Sequence, residues 1–161
     1  MTTRRLFFST RPSSIKLIAT FAIATPFADL DLEARGARIT LIDAPSYDHG
    51  SYITLPPGAY AGVGTRGWHK ATRQWTYVDR TGDPFAITKV KVQDRSNVSP
   101  GWVIVKVTAS TWGPALPPKP FTLAVTLGSA AVDGTVGRCG EAIFTAFDCS
   151  PNSTLYATCV K

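Results

Sequence analysis

The stretch FTLAVTLG (residues 121–128) alternates without a break. Phe121, Leu123, Val125 and Leu127 fall on one side of an extended chain, and Thr122, Ala124 and Thr126 on the other. Successive side chains of a strand point to opposite faces, so this pattern predicts a strand with one face in a core. GWVIVKVTA (101–109) repeats it: Val103, Val105 and Val107 face one way, Trp102, Ile104, Lys106 and Thr108 the other. FAITKVKVQ (85–93) is rich in β-branched residues, and RQWTYVD (73–79) puts Trp75 and Tyr77 on one face. SYITL, EAIFTAF and TLYATCV are shorter runs of the same kind. Near the start of the body, DLDLEARGARITLI alternates at Leu30 and Leu32 and again at Ile39 and Leu41, with Gly36 marking a bulge or turn between them.

Between these runs the punctuation is dense. RTGDP (80–84) reads as a tight turn, and TWGPALPPKP (111–120) has four prolines, which exclude a helix or a central strand. No window shows a helical stripe capped at both ends. Many short strands with frequent turn signals predict an all-β fold, an antiparallel β-sandwich of about seven to nine strands. The connections between residues 75 and 107 are too short for parallel crossovers, so this region is expected to be a three-stranded antiparallel meander. At 161 residues the chain is the size of one domain, and a hydrophobic share of 44% is ordinary for a globular protein.

The formal charge is +6, and it is unevenly placed. Arg4, Arg5, Arg11 and Lys16 precede the first acid, while the remaining residues carry thirteen basic and eleven acidic groups. With the excess concentrated in one terminal stretch, no nucleic-acid partner is expected. The N-terminal residues 1–28 read as a basic, poorly ordered arm ahead of a sandwich domain at 29–161. Within it LIATFAIA (17–24) is too short for a transmembrane helix. A basic start, a short apolar run and small residues at Ala22 to Ala24, or at Ala28, have the layout of a secretory signal. The competing reading of the same residues is a first strand behind a frayed terminus.

Cys139, Cys149 and Cys159 lie ten residues apart. That spacing lacks the close pairs of a zinc site, and His49 and His69 lie far back in the chain, so no metal or other cofactor is expected. If EAIFTAF and TLYATC paired as a hairpin through DCSPNS, Cys139 would fall opposite Cys159 or one step off, near the separation a disulfide needs. Cys149 would then sit at the tip. Without that hairpin all three pairings are open.

A hydrolase would have to be built on His49 or Cys149, but neither lies in a recognisable nucleophile motif, and a non-catalytic role is expected. GAYAGVGTRG (58–67) lacks the strand and helix that a phosphate-binding glycine loop requires. Trp68, Trp75, Tyr77 and Trp102 lie on or beside the meander. Exposed on one sheet face they would form a carbohydrate-binding platform, with Lys70, Arg73 and Lys106 as hydrogen-bond donors. Turned inward they would be core.

Residues 30–161 carry Gly67-Trp68, Trp75-Thr76-Tyr77, Asp83-Pro84, Lys89-Val90-Lys91-Val92, the strand 123–128 and the closing GRCGE and TC pieces. In these the chain resembles β-rich modules of uncharacterised exported bacterial proteins. The resemblance implies an extracytoplasmic β-rich module, extracellular or periplasmic, without known activity. The expected role is a non-catalytic structural or adhesive module, the alternative is a carbohydrate-binding one, and a glycan or another domain or protein is the partner to consider. It brings no catalytic residue.

Overall fold

The computed structural model describes residues 2–10, 13–43, 50–82, 87–109, 120–128, 139–144, 149–153 and 156–159. Twelve strands are found among them: β1 (Thr2–Thr10), β2 (Ser13–Ala22), β3 (Ala37–Asp43), β4 (Gly50–Leu55), β5 (Arg66–Ala71), β6 (Gln74–Asp79), β7 (Lys89–Asp94), β8 (Trp102–Ala109), β9 (Phe121–Thr126), β10 (Cys139–Phe144), β11 (Cys149–Ser153) and β12 (Tyr156–Cys159). They form an eight-stranded sheet in the order β11-β12-β1-β2-β8-β7-β6-β5 and a four-stranded sheet in the order β10-β9-β3-β4. Every strand pairing is antiparallel. The all-β sandwich is therefore the fold, with more strands than the sequence pattern reveals. The meander is present as three neighbouring strands, β6, β7 and β8.

The inward sets are those the alternation selects. Phe121, Leu123 and Val125 of β9 and Val103, Val105 and Val107 of β8 are all buried, and they share one core cluster with Ile39 and Leu41 of β3 and Val90 and Val92 of β7. Burying a side chain of this size stabilises a fold by roughly 1.5–3 kcal/mol before entropy is counted.

β2 lies on the N-terminal side of the division drawn at residue 28. The apolar run, read either as a signal segment or as a strand, is a strand in the interior of the long sheet, in register with β8 from Ile15↔Ala109 to Ala22↔Trp102. Leu17, Ala19 and Phe21 point into the core and are at most 3% exposed. The period of two is masked in the sequence because Ile18 and Ala22, on the other face, are apolar as well. Ile23 and Phe27, beyond the strand, are also buried.

The Leu30/Leu32 alternation is not a strand. Residues 27–29 form a 3-10 turn and Leu32–Arg35 a single helical turn, α1. Asp31 supplies a helix cap, its Oδ1 accepting from the Ala34 amide at 3.0 Å. Gly36 closes the turn at φ +69°, and a Cβ there would collide with the Leu55 carbonyl oxygen. Both leucines are nevertheless buried, so turns meet the burial demand that looked like a strand signal.

The cysteine hairpin is also corrected. β10 pairs with β9, Cys139 facing Thr126, and not with the last strand. β12 lies in the other sheet between β11 and β1, with Cys149 opposite Cys159 in the ladder. Cys139 and Cys159 are therefore not cross-strand neighbours, and DCSPNS contributes a strand where a turn was expected. The edge of β9 offers β10 a ladder running from Cys139↔Thr126 to Phe144↔Phe121, which wins over the local hairpin. Gly140 lets β10 approach β2 across the sandwich, since a Cβ at that position would meet the Phe21 ring. The expected turn at Asp83 and Pro84 and the proline-rich stretch 111–119 lie outside the described residues.

Because Phe21 fills the core between the sheets, Phe21→Ala should cost about 3–5 kcal/mol in urea denaturation. A residue of a loose arm would shift stability by less than about 0.5 kcal/mol, and that result would remove β2 from the fold.

Candidate binding face

Strand parity sorts the candidate aromatics. On β5 and β6, Trp68 faces Tyr77 and Lys70 faces Trp75, all on the side that looks into the sandwich. Trp68 is fully buried, its Nε1 donates to the Pro56 carbonyl at 3.0 Å, and its ring lies 5.2 Å from that of Tyr77. Trp75 is 3% exposed, with the Lys70 ammonium 5.1 Å from its ring centroid. Tyr77 is buried beside Asp79 and donates to its Oδ2 at 3.5 Å. These three are core residues and cannot serve as a sugar platform. Trp102 alone of the four stays half-exposed, because it sits on the outward parity of β8.

Two of the three basic residues assigned to that platform, Lys70 and Arg73, are likewise engaged in structure. Lys70 Nζ donates to the Ala28 carbonyl at 3.1 Å. Arg73 pairs with Asp94 at 3.1 Å and donates to Asn97 at 3.1 Å. Hydrogen bonding from the Ser96 side chain holds the Asp94 carboxyl below its ordinary value. An open depression of about 620 Å³ lies beside this pair, bordered by Thr25, Pro26, Phe27, Thr72, Asp94 and Pro100. His69 is exposed, faces Thr76 in register and has the Tyr60 ring 6.4 Å away. His49 lies outside the described residues, and Cys149 is placed only by its strand register. Among the described residues no group of three His, Cys, Asp or Glu could hold a metal ion, and no helix is long and apolar enough to cross a membrane.

The outward face of the long sheet is the surface that sequence reasoning missed. In one row of the ladder Ile18, Lys106, Lys91, Thr76 and His69 stand side by side on β2, β8, β7, β6 and β5. The next row carries Lys16, Thr108, Lys89 and Val78. On the other side of the lysines, Thr20, Ile104, Gln93 and Gln74 form a third row, in which Gln93 Nε2 donates to Gln74 Oε1 at 3.0 Å. Four lysines thus share one face, and no outward position described on these five strands is acidic. Lys16, Lys89 and Lys106 are exposed and Lys91 is half-buried. The KVKV of β7 and the lone lysine of β8 did signal outward cations, but Lys16 stood in a segment assigned to the arm.

The charged groups on the inner side are few and held. Asp79 is 8% exposed and accepts from the Thr81 amide at 2.9 Å and the Thr81 hydroxyl at 2.7 Å. No family model, curated protein or solved structure matches the chain.

Burial, reinforced by the Asp79 charge, pushes the Tyr77 phenol up to about 12 from an ordinary 10.0. A raised pKa in the folded state means the stability from this group is complete below pH 10 and is lost as the pH climbs toward 12. Alkaline titration followed by tyrosinate absorbance should show one phenol ionising only with unfolding near the top of that window. In Tyr77→Phe that late step should disappear, and its persistence would contradict the placement of Tyr77.

Proposed function

We propose that this domain is a non-catalytic structural or adhesive β-sandwich module of an exported bacterial protein, working by contact through the outward face of its long sheet. The observation that carries this reading is the division of labour between the faces. Three of the four candidate aromatics fill the core, while the outward rows carry lysine, threonine and glutamine on four adjacent strands, β2, β8, β7 and β6. A sheet face lined with several polar side chains suits adhesion to an extended partner better than enclosure of a small substrate. Trp102 favours a carbohydrate as that partner, since its half-exposed indole lies on the same face.

The exported setting is supported by strand register. Cys149 and Cys159 are opposite each other in neighbouring antiparallel strands, the arrangement from which a disulfide forms with little backbone movement. Outside the cytosol an oxidised dithiol carrier would accept both electrons and leave Cys149 joined to Cys159.

Protein recovered after directed export and mapped without reduction should yield a peptide joining Cys149 to Cys159. Incubated with soluble envelope polysaccharide, it should return the polymer unchanged in mass. Fully reduced cysteines would contradict export, and a polymer shortened or modified by the protein would contradict the non-catalytic role.

A further inference from the structure

We propose that the lysine face docks a linear acidic polysaccharide, whose carboxylate or sulfate groups lie along Lys16, Lys89, Lys91 and Lys106 with one group reaching Arg95. This rests on the binding role proposed above and names its ligand class. Lys91 and Lys106 are direct register partners on β7 and β8. Like charges opposite each other in a ladder oppose pairing. Lys89 lies two residues from Lys91, about 7 Å along the strand. Lys16 and Lys89 flank Thr108 from either side, about 10 Å apart by strand spacing. None of the four is paired with a carboxylate among the described residues. A cluster of unneutralised cations spaced over several ångströms suits a repeating polyanion better than a single small anion.

A second feature lies beside the cluster. A cavity of about 170 Å³ is lined by Thr20, Arg95, Val98, Trp102 and Ile104. Ile104 is two residues from Lys106, so this lining residue lies about 7 Å along β8 from that lysine. The Thr20 hydroxyl, on a residue 3% exposed, and Arg95 Nε both lack a hydrogen-bond partner there. A guanidinium donor and a hydroxyl beside a half-exposed indole are suited to a sugar bearing an acidic group: the ring lies on Trp102 and the acid faces Arg95.

The neighbours of the lysines decide between polyanions. Thr76, Thr108, Ile18 and Val78 adjoin them, and none is aromatic. Single-stranded nucleic acid is held by successive bases stacking on aromatic side chains, which this cluster does not offer. The broad face of a sheet also puts no helix or ribbon into a duplex groove. The exposed Thr108 hydroxyl between Lys16 and Lys89 fits a polymer that is rich in hydroxyls itself.

The test is titration of the full chain with heparin, polygalacturonate, neutral dextran and an oligothymidylate, at low and at physiological salt, alongside the double variant Lys91→Gln/Lys106→Gln. Wild type should bind heparin or polygalacturonate, more weakly at the higher salt. The variant should lose about tenfold in affinity and show a shallower salt dependence. Its melting temperature should equal or exceed that of wild type, because a like-charge pair has been removed, and this shows that lost binding is not lost folding. Unchanged affinity in the variant, no binding of either acidic polymer, equal binding of dextran, or tighter binding of the oligothymidylate would each overturn the proposal. Cleavage of a bound polysaccharide would overturn only the non-catalytic reading and would leave the docking face in place.

Discussion

The ladder between β2 and β8 is the contact on which the long sheet depends. On one side of it lie β11, β12 and β1, and on the other β7, β6 and β5. Remove β2 and the sheet divides, β8 becomes an open edge, and Leu17, Ala19 and Phe21 leave the core. An exposed edge of valine-rich strand is a template for aggregation. The same strand fixes the distance between the layers, because Phe21 meets β10 where Gly140 has no side chain. It also completes the lysine face by bringing Lys16 beside Thr108.

Alternation along these strands produces two surfaces of opposite chemistry from one backbone. A one-residue slip of β8 would turn Val103, Val105 and Val107 to water and Lys106 into the core, so register is strongly specified. The inner face takes the large rings. Trp68 and Tyr77 pack against each other, and the Trp68 indole N–H reaches a backbone carbonyl, which removes the cost of burying it. The outer face takes the cations, whose long side chains keep their charged ends in solvent. Function, on this account, is what the outward parity presents, and its lysines repel each other in a way that folding alone does not require.

Where burial is one-sided, the sequence is readable. Phe121 to Leu127 and Trp102 to Thr108 alternate so regularly that both strands and their inward sets follow directly. Where both faces are apolar, the period of two vanishes, and β2 resembled a signal segment for that reason. Local pattern also misleads where a turn can bury the same residues, as with Leu30 and Leu32 around the Asp31 cap. Pairing partners are the least legible feature: β10 and β11 follow one another in sequence yet belong to different sheets. The lysine face could not be assembled from sequence, because it needs the neighbours β2, β8 and β7 to be known. The burial of Trp68, Trp75 and Tyr77 follows from parity once β5 and β6 are paired.

Amide hydrogen exchange of the full chain measures the β2–β8 ladder most directly. Backbone amides of Leu17 to Phe21 should exchange as slowly as those of Val103 to Val107, in the most protected class of the molecule. Complete exchange of the 17–21 amides while β8 remains protected would contradict it, and β2 would have no place in the sheet.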